Sequence, residues 1–310
     1  MLWQKHRPAT LDAFKGNADI VEAFKKMFAT EEHPHAFLLT GDPGCGKTTL
    51  ARLIATELLG CTLKGTSEHN NAEDRGIDFV RGLIADMQYP PLLGKNRVVI
   101  IDEAHKLSTD AISALLKPVE EPPRYGYYFF CTPEPETLFK TKDGKALQTR
   151  LTPYKLKALS DGDIGDIMRA VMAAEGFTIS KAVGESIVVS AEGNPRTALK
   201  LLEQARFGAL PATEEIRVKM YDLYNALLKS YGHVKEWGET RKILEGLKAL
   251  GADAEGIRRY VMACAQNTLL RGNNIAAFDI LDIFSSSPTY DAGFPRIVAN
   301  SYKICLCQPG

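Results

Sequence analysis

The chain has 310 residues, of which 45% are hydrophobic and 25% are charged, the composition of a globular protein with two or three domains and a sizeable core. Its 38 basic and 38 acidic residues give a formal net charge of zero, which excludes a uniformly basic surface for nucleic acid and leaves local basic faces or assembled rings. No apolar run is long enough to span a membrane, the N-terminus lacks a signal-peptide core, and six scattered cysteines favour reduced thiols in a cytoplasmic protein.

The first predicted element is a helix near residues 20–28, which follows a basic segment that contains proline. Its apolar positions at helical spacing are Ile20, Val21, Phe24, Met27 and Phe28. The sequence His33-Pro34-His35 ends this helix before the next apolar run.

The segment from Gly41 to Thr48 fits the phosphate-binding pattern G-x-x-x-x-G-K-[ST] in full. It lies between a short apolar strand at residues 36–39 and an apolar-periodic helix that starts near Thr49. Glycines let several backbone N–H groups converge on phosphate oxygens at the positive end of that helix. We therefore predict a nucleotide site in which Lys47 reaches the β- and γ-phosphates and Thr48 holds Mg²⁺. The nucleotide-binding residues are Gly41, Asp42, Pro43, Gly44, Cys45, Gly46, Lys47, Thr48 and Thr49. The alternative is a glycine-rich turn without a ligand.

Two further segments separate this helix from the next strand. Gly60 is a helix stop, and a polar stretch follows from Thr66 to Asp74. A helix is then predicted near residues 77–84, with Arg75 and Asp78 at its start.

Residues 97–105 form the second segment that indicates a nucleotide-hydrolysing site. Four consecutive β-branched aliphatic residues predict a buried parallel strand, and Asp102 and Glu103 stand at its C-terminal end. In a nucleotide-hydrolysing site Asp102 would support Mg²⁺, and Glu103 would polarise the attacking water. The alternative is a strand that ends in an exposed acidic turn.

The next predicted elements complete an α/β domain. A helix over 109–120 contains Pro118, which strains its last turn. A third buried strand ends at Thr132, where parallel-sheet ligand sites lie, and residues 151–156 are a candidate for one more strand.

From residue 157 onward the pattern predicts only helices. The first three are expected over 160–174, 180–190 and 194–207, with Ser160 as an N-cap. A linker follows near 210–213, and later breaks fall at Gly232, Gly251, Gly272 and 285–288. The predicted organisation is an α/β P-loop domain with a parallel sheet flanked by helices (1–156), a small helical domain (157–208) and an all-α domain (213–310). Cys305 and Cys307 lack a second pair of metal ligands.

Several motifs, in this order, carry a resemblance to one family. They are residues 5–11 (KHRPATL), 14–17 (FKGN), 35–41 (HAFLLTG), 72–81 (AEDRGIDFVR) and 115–123 (LLKPVEEPP). They resemble the AAA+ ATPase subunits of sliding-clamp loaders. That family includes replication factor C small subunits, the bacterial polymerase III tau/gamma subunit and the large clamp-loader subunits of T4-type phages. The resemblance covers residues 1 to about 207.

The resemblance implies ATP and Mg²⁺ as cofactors and a role for several further residues. The opening motif contributes Lys5, His6, Arg7 and Pro8 to the nucleotide site. Thr132 falls on the first nucleotide-sensing position and Arg196 on the second sensor arginine. Arg150 falls on an arginine finger that reaches the ATP of the neighbouring subunit, although both flanks of its motif differ here. The last two domains correspond to a helical lid and an oligomerisation collar.

The resemblance also implies partners, namely other loader subunits, including further copies of this chain and a different subunit, a sliding clamp and primer–template DNA. Arg75 and Arg81 fall near a helix that tracks the DNA backbone; the alternative is a solvated helix face. An apolar stretch with Met87, Tyr89, Leu92 and Leu93 falls where the family contacts the clamp; the alternative is a buried connection. The four-cysteine zinc insertion of tau/gamma subunits is missing after Cys61, which favours the replication factor C or phage branch.

The leading hypothesis is therefore a DNA-stimulated ATPase subunit that opens a sliding clamp and loads it at primer–template junctions. It would act in the cytoplasm, or in the host cytoplasm if a phage encodes it. A second hypothesis is another AAA+ motor, such as a helicase loader or a branch-migration ATPase, which the segments at 72–81 and 115–123 disfavour. A third is a structural subunit that binds nucleotide without turnover.

Overall fold

The computed structural model describes residues 1–61, 66–69, 76–208, 212–286 and 293–307. The chain divides into two compact units. Unit 1 comprises Met1–Gly176 and Ala191–Lys200, and unit 2 comprises Phe177–Ser190 and Leu201–Gly310. The division into domains at 1–156, 157–208 and 213–310 stays a prediction.

Unit 1 contains a five-stranded sheet in which every neighbouring pair is parallel. The strands are β1 (Ala36–Thr40), β2 (Thr66–His69), β3 (Arg97–Ile101), β4 (Gly126–Thr132) and β5 (Thr152–Lys155). Their order across the sheet is β2-β3-β4-β1-β5. The prediction of a parallel α/β domain is confirmed. Because the strands are parallel, the C-terminal ends of β1, β3 and β4 lie along one edge of the sheet, where ligand sites of such sheets form.

Helices flank the sheet and continue to the C-terminus. In the first part of the chain they are α1 (Leu2–Lys5), α2 (Ala18–Met27), α3 (Lys47–Leu53), α4 (Ile77–Met87), α5 (Thr109–Glu120), α6 (Pro135–Leu138), α7 (Lys142–Gln148) and α8 (Asp161–Glu175). They continue with α9 (Lys181–Ala191), α10 (Pro195–Arg206), α11 (Ala212–Ser230), α12 (Trp237–Ala249), α13 (Ala254–Arg271), α14 (Ile275–Ser285) and α15 (Gly293–Leu306). A π-helical stretch (Ile54–Leu58) extends α3, and short 3₁₀ turns occupy Ala104–Lys106 and Val234–Glu236.

Alternating side chains bury both faces of the sheet. On β1, Phe37 and Leu39 pack on one face in a cluster with residues of α2 and α3. Ala36 and Leu38 pack on the opposite face with residues of α4 and α5. Both clusters consist of apolar side chains, so hydrophobic burial holds the helices against the sheet and fixes the strand ends.

Every secondary-structure element in the described residues of unit 2 is a helix, and the unit has its own apolar core. Fully buried side chains in this core include Leu223, Leu227, Val261 and Phe284. The predicted helix breaks are confirmed, since α11, α12, α13 and α14 end at the expected places. Within the described part of the chain, no helix is long and apolar enough to cross a membrane.

One strand differs from the sequence-based expectation. Residues 66–69 belong to a stretch predicted only as polar, yet they form β2, which pairs with β3 at the edge of the sheet. The sequence Thr-Ser-Glu-His carries no apolar alternation, so the periodicity that indicates strands does not detect it.

Candidate nucleotide site

The loop between β1 and α3 has the positive backbone φ angles that its glycines allow. Gly41, Gly44 and Gly46 adopt φ angles of 138°, 85° and 106°, in the region that favours glycine. A Cβ atom on Gly41 would lie 2.6 Å from the carbonyl oxygen of Leu156, and one on Gly44 would lie 2.6 Å from Asn194 Oδ1. The loop therefore requires glycine at both places, and it leads directly into the N-terminus of α3 at Lys47.

The Lys47 side chain lies within this loop and is only 6% exposed. Its Nζ donates hydrogen bonds to the carbonyl oxygens of Gly41 (2.7 Å) and Asp42 (2.9 Å). A buried ammonium group is costly unless it is well paired, so an anionic ligand here would gain a strong, charge-assisted interaction. Burial raises the pKa of the nearby Cys45 thiol, and the Lys47 charge opposes this rise. The Cys45 thiol is therefore harder to ionise than a free cysteine thiol.

Thr48 and Asp102 meet at the C-terminal end of β3. The Thr48 hydroxyl donates to Asp102 Oδ2 over 2.9 Å, although the two residues belong to α3 and to the end of β3. The backbone N–H of Glu103 donates to the other carboxylate oxygen over 3.0 Å. Oxygen ligands of this kind fit Mg²⁺, which takes one or two protein ligands and fills its shell with phosphate and water. Among the described residues, no group of three or more His, Cys, Asp or Glu could hold a metal ion.

Glu103 has a strained backbone and a polar connection to Thr132. Its φ of 54° lies in the left-handed region, which costs a non-glycine residue about 1–3 kcal/mol. Its carboxylate lies 3.2 Å from Lys106 Nζ and 3.7 Å from His105 Nε2. The other ring nitrogen of His105 lies 3.0 Å from the Thr132 hydroxyl oxygen. His105 therefore links the carboxylate at the end of β3 to the hydroxyl at the end of β4.

A cleft of about 880 Å³ opens beside these groups in unit 1, within the size range of small-molecule sites. Residues from the N-terminal segment, the glycine loop, the end of β3, α8 and α10 line it. The predicted site residues in the lining are Lys5, His6, Arg7, Pro8, Pro43, Gly44, Cys45, Gly46, Lys47, Thr48, Thr49, Asp102, Glu103 and Arg196. Gly41 and Asp42 adjoin the lining through their contacts with Lys47.

Arg196 reaches the cleft from the start of α10, which is tied to the glycine loop. Asn194 accepts hydrogen bonds from the backbone N–H groups of Arg196 (3.0 Å) and Thr197 (3.2 Å), and its amide donates to Pro43 O over 2.6 Å. The guanidinium group of Arg196 lies 4.9 Å from the centre of the Trp3 ring, within the range of a cation–π interaction. Asn194 and Trp3 thus hold Arg196 at the cleft from two directions.

The N-terminal segment is anchored to the end of α8. The Lys5 ammonium and His6 Nε2 each lie 2.7 Å from Glu175 Oε1. The guanidinium group of Arg7 lies 5.4 Å from the centre of the Trp3 ring. These contacts keep the opening segment against the cleft. The positive charges of Lys5 and Arg7 in the cleft lining favour a polyphosphate ligand.

The remaining predicted site residues lie elsewhere. Neither Thr132 nor Arg150 is among the described residues that line the cleft. Thr132 is fully buried and contacts His105, and Arg150 pairs with Glu120. Arg81 is exposed on α4, and its Nη1 lies 3.2 Å from Asp78 Oδ1. Arg75 lies outside the described residues.

The expectation that Met87 contacts a clamp is wrong. Its side chain is 2% exposed and packs in the core between α4 and the sheet. As the last residue of α4, Met87 continues the apolar stripe of that helix, so helical periodicity is the signal that separates it from the loop. Tyr89, Leu92 and Leu93 in that loop are exposed, and Leu92 is 99% exposed.

Sequence reasoning missed three contributors to the site, namely Trp3, His105 and Asn194. The N-cap pattern before α10 indicates Asn194, and the position of His105, two residues after Glu103, indicates a polar neighbour of the carboxylates. No sequence signal indicates Trp3, because its partners come from α10 and from the segment after α1.

Comparisons with known proteins find relatives among DNA polymerase III and replication factor C subunits. A family model described as DNA polymerase III, delta subunit, matches residues 67–155. The DNA polymerase III subunit gamma/tau of Mycobacterium bovis is 29% identical over 67% of this chain and 39% of the relative. A replication factor C small subunit from Methanoculleus marisnigri is 33% identical over 66% of this chain and 63% of the relative. The match thus spans well under half of the gamma/tau protein and under two thirds of the replication factor C protein.

A solved structure supports the fold. The Thermotoga maritima RuvB Holliday junction branch migration motor has a TM-score of 0.53 and 22% identity, over 66% of this chain and 65% of its own. At that identity the match supports only a shared fold. The relatives in sequence bear out the resemblance drawn from the ordered motifs. In sequence, this chain is therefore similar to DNA polymerase III gamma/tau subunits and to replication factor C small subunits.

Proposed function

We propose that this chain is an ATPase subunit of a loader that opens a sliding clamp and places it at primer–template junctions. The observation that carries the proposal is one cleft that brings together the glycine loop, the carboxylates of Asp102 and Glu103, and the guanidinium group of Arg196. These groups can bind a triphosphate, hold its metal and accept a proton from water.

The cleft residues have separate roles in this proposal. Lys47 and the loop N–H groups bind the phosphates, while Thr48 and Asp102 hold Mg²⁺, which neutralises developing charge when it is bound. Glu103 polarises the attacking water, and His105 and Thr132 hold its carboxylate in place. Arg196 contacts the phosphates from α10 as a second sensor, and a planar guanidinium group can pair two oxygens at once.

The site needs a second copy of the chain in this proposal. Arg150 belongs to unit 1, yet it is not among the described residues that line the cleft. We place it at the ATP of an adjoining subunit, as the family resemblance implies. Residues 157–208 then correspond to the family's helical lid domain, and residues 213–310 form the collar that holds the subunits in a ring with a different partner subunit.

ATP turnover, measured with and without primed DNA and a cognate clamp, tests this function. We expect slow basal turnover, clear stimulation by DNA and clamp together, and no turnover by a Lys47→Ala variant. ATP turnover that does not change when DNA and clamp are added would contradict the loader function. Binding of ATP with no turnover under any condition would favour the structural-subunit hypothesis.

A branch-migration motor is the second candidate, because the RuvB structure shares the fold. A four-way DNA junction distinguishes the two functions. A loader is expected to respond to a primed template with a clamp and to leave the junction in place. A motor is expected to hydrolyse ATP on the junction and to move it without any clamp.

Arg81 provides a prediction for the DNA contact. Replacing Arg81 by glutamate should lower DNA-stimulated turnover severalfold and leave basal turnover unchanged, because an exposed arginine near a helix start can contact phosphate. The measurement is turnover over a range of DNA concentrations at fixed salt. Arg241→Glu is the matched control, since Arg241 is also exposed and pairs with a glutamate on its own helix. Equal losses in basal and stimulated turnover would contradict the DNA role.

Leu92 provides a prediction for the clamp contact. Replacing Leu92 by alanine should weaken clamp binding about tenfold without lowering the melting temperature, because the side chain is almost fully exposed and binding removes it from water. The measurement is clamp affinity in the presence of an ATP analogue. Leu270→Ala, another exposed leucine, should change neither quantity. Met87→Ala should instead lower stability by about 2–5 kcal/mol. Unchanged clamp affinity of the Leu92→Ala protein would exclude this surface.

A further inference from the structure

Glu120 and Arg150 form an ion pair within unit 1. Glu120 is the last residue of α5, and Arg150 lies just after α7. Glu120 Oε2 accepts hydrogen bonds from Arg150 Nε (3.1 Å) and Nη2 (2.6 Å). Arg150 Nη1 donates to the carbonyl oxygen of Ala146 over 2.6 Å. The guanidinium group is therefore held on two sides, by a carboxylate of one helix and a carbonyl of another.

The remaining donors of Arg150 are suited to a phosphate. A guanidinium group has five N–H donors in a fixed plane, and the three contacts above use one on each nitrogen. One N–H then remains on each terminal nitrogen. Two such donors can pair two oxygens of one phosphate group. The side chain is 27% exposed, so it is partly accessible to a ligand from solvent.

The position of Glu120 is unfavourable for a purely structural carboxylate. The C-terminal end of a helix carries partial negative charge, which disfavours an acidic residue there. The pair is also partly exposed, and such pairs contribute little to stability. The Glu120 carboxylate therefore contributes little to the stability of the fold. It does restrict the Arg150 side chain, which would otherwise sample many rotamers.

We propose that Glu120 is a positioning residue that holds Arg150 in the orientation in which it reaches the triphosphate of an adjoining copy. This inference rests on the proposed ATPase function. A side chain that is already ordered loses less freedom when it binds, and small errors in placement strongly reduce rate. Glu120 acts only through Arg150 and touches no substrate.

A double-mutant cycle tests the proposal in the assembled complex with DNA and clamp. The four proteins are wild type, Glu120→Ala, Arg150→Ala and the double variant. We expect Glu120→Ala to lower kcat by about ten- to a hundredfold, with unchanged KM and unchanged binding of a fluorescent ATP analogue. In the Arg150→Ala background the same substitution should have no further effect. Glu120→Gln keeps an acceptor oxygen and should recover part of the lost kcat.

Glu121→Ala is the matched control, because Glu121 is the adjacent exposed glutamate, and it should keep the wild-type kcat. An equal loss from Glu120→Ala in both backgrounds, or no loss in wild type, would overturn the positioning role. Those results differ from a failure of the proposed function, in which wild-type turnover itself would not respond to DNA and clamp. Melting temperatures of all four proteins separate a loss of kcat from a loss of folding.

Discussion

Replacing Arg150 by alanine should lower ATP turnover in the assembled complex by about 10³-fold or more, the typical contribution of an arginine supplied by a neighbouring subunit. Nucleotide binding by the variant should stay at the wild-type level, because Arg150 is not among the described residues that line its own cleft. Single-turnover hydrolysis and equilibrium binding of an ATP analogue measure the two quantities separately.

Mixing two inactive variants provides the sharpest control. An Arg150→Ala chain keeps its own Lys47 and Glu103, while a Glu103→Gln chain keeps its own Arg150. If the arginine acts across a subunit boundary, a mixed assembly contains sites that hold all three groups, and turnover should reappear. If the mixture stays inactive while both chains still assemble, the inter-subunit role of Arg150 is wrong.

Replacing Glu103 by glutamine should lower turnover by about 10²–10⁴-fold, the usual contribution of a positioned general base. The carboxamide has nearly the same shape but does not accept a proton. ATP affinity should change little, because Lys47, Thr48 and the loop backbone remain in place. The measurements are kcat and the affinity for ATP at fixed Mg²⁺.

Glu136→Gln is the matched control for this charge removal, since Glu136 is an exposed glutamate in the first turn of α6. It should leave kcat unchanged. A Glu103→Gln protein that loses ATP binding and turnover together would show that the carboxylate supports the ligand or the fold. A protein that keeps full turnover would exclude Glu103 as the base.

The sequence predicts the parts of the fold and of the site that depend on local pattern. The glycine loop, the aliphatic run before Asp102 and the helix breaks at Gly232 and Gly251 are each defined by a few consecutive residues. Local geometry then follows from backbone sterics and from burial, which act over short distances along the chain. The structure accordingly has β1, β3 and the ends of α11 and α12 where the pattern predicts them.

Contacts between distant segments are not available from such patterns. Glu120 pairs with Arg150, thirty residues later, and Trp3 lies under the guanidinium group of Arg196. Neither pairing follows from periodicity, because each depends on how separate helices pack. Met87 shows the limit of local pattern: it belongs to the same apolar run as Leu92 and Leu93, but it ends α4 and is buried, whereas those two residues are exposed.

The left-handed backbone at Glu103 also affects the balance between the thermal stability of this protein and its catalytic activity. Glycine would relax the strain there, so a chain optimised only to withstand heat would carry glycine at this position. Keeping a carboxylate in a disfavoured conformation makes the end of β3 a weak point of unit 1. Engineering for thermal tolerance should therefore leave residue 103 alone and improve helix caps and exposed faces far from the cleft.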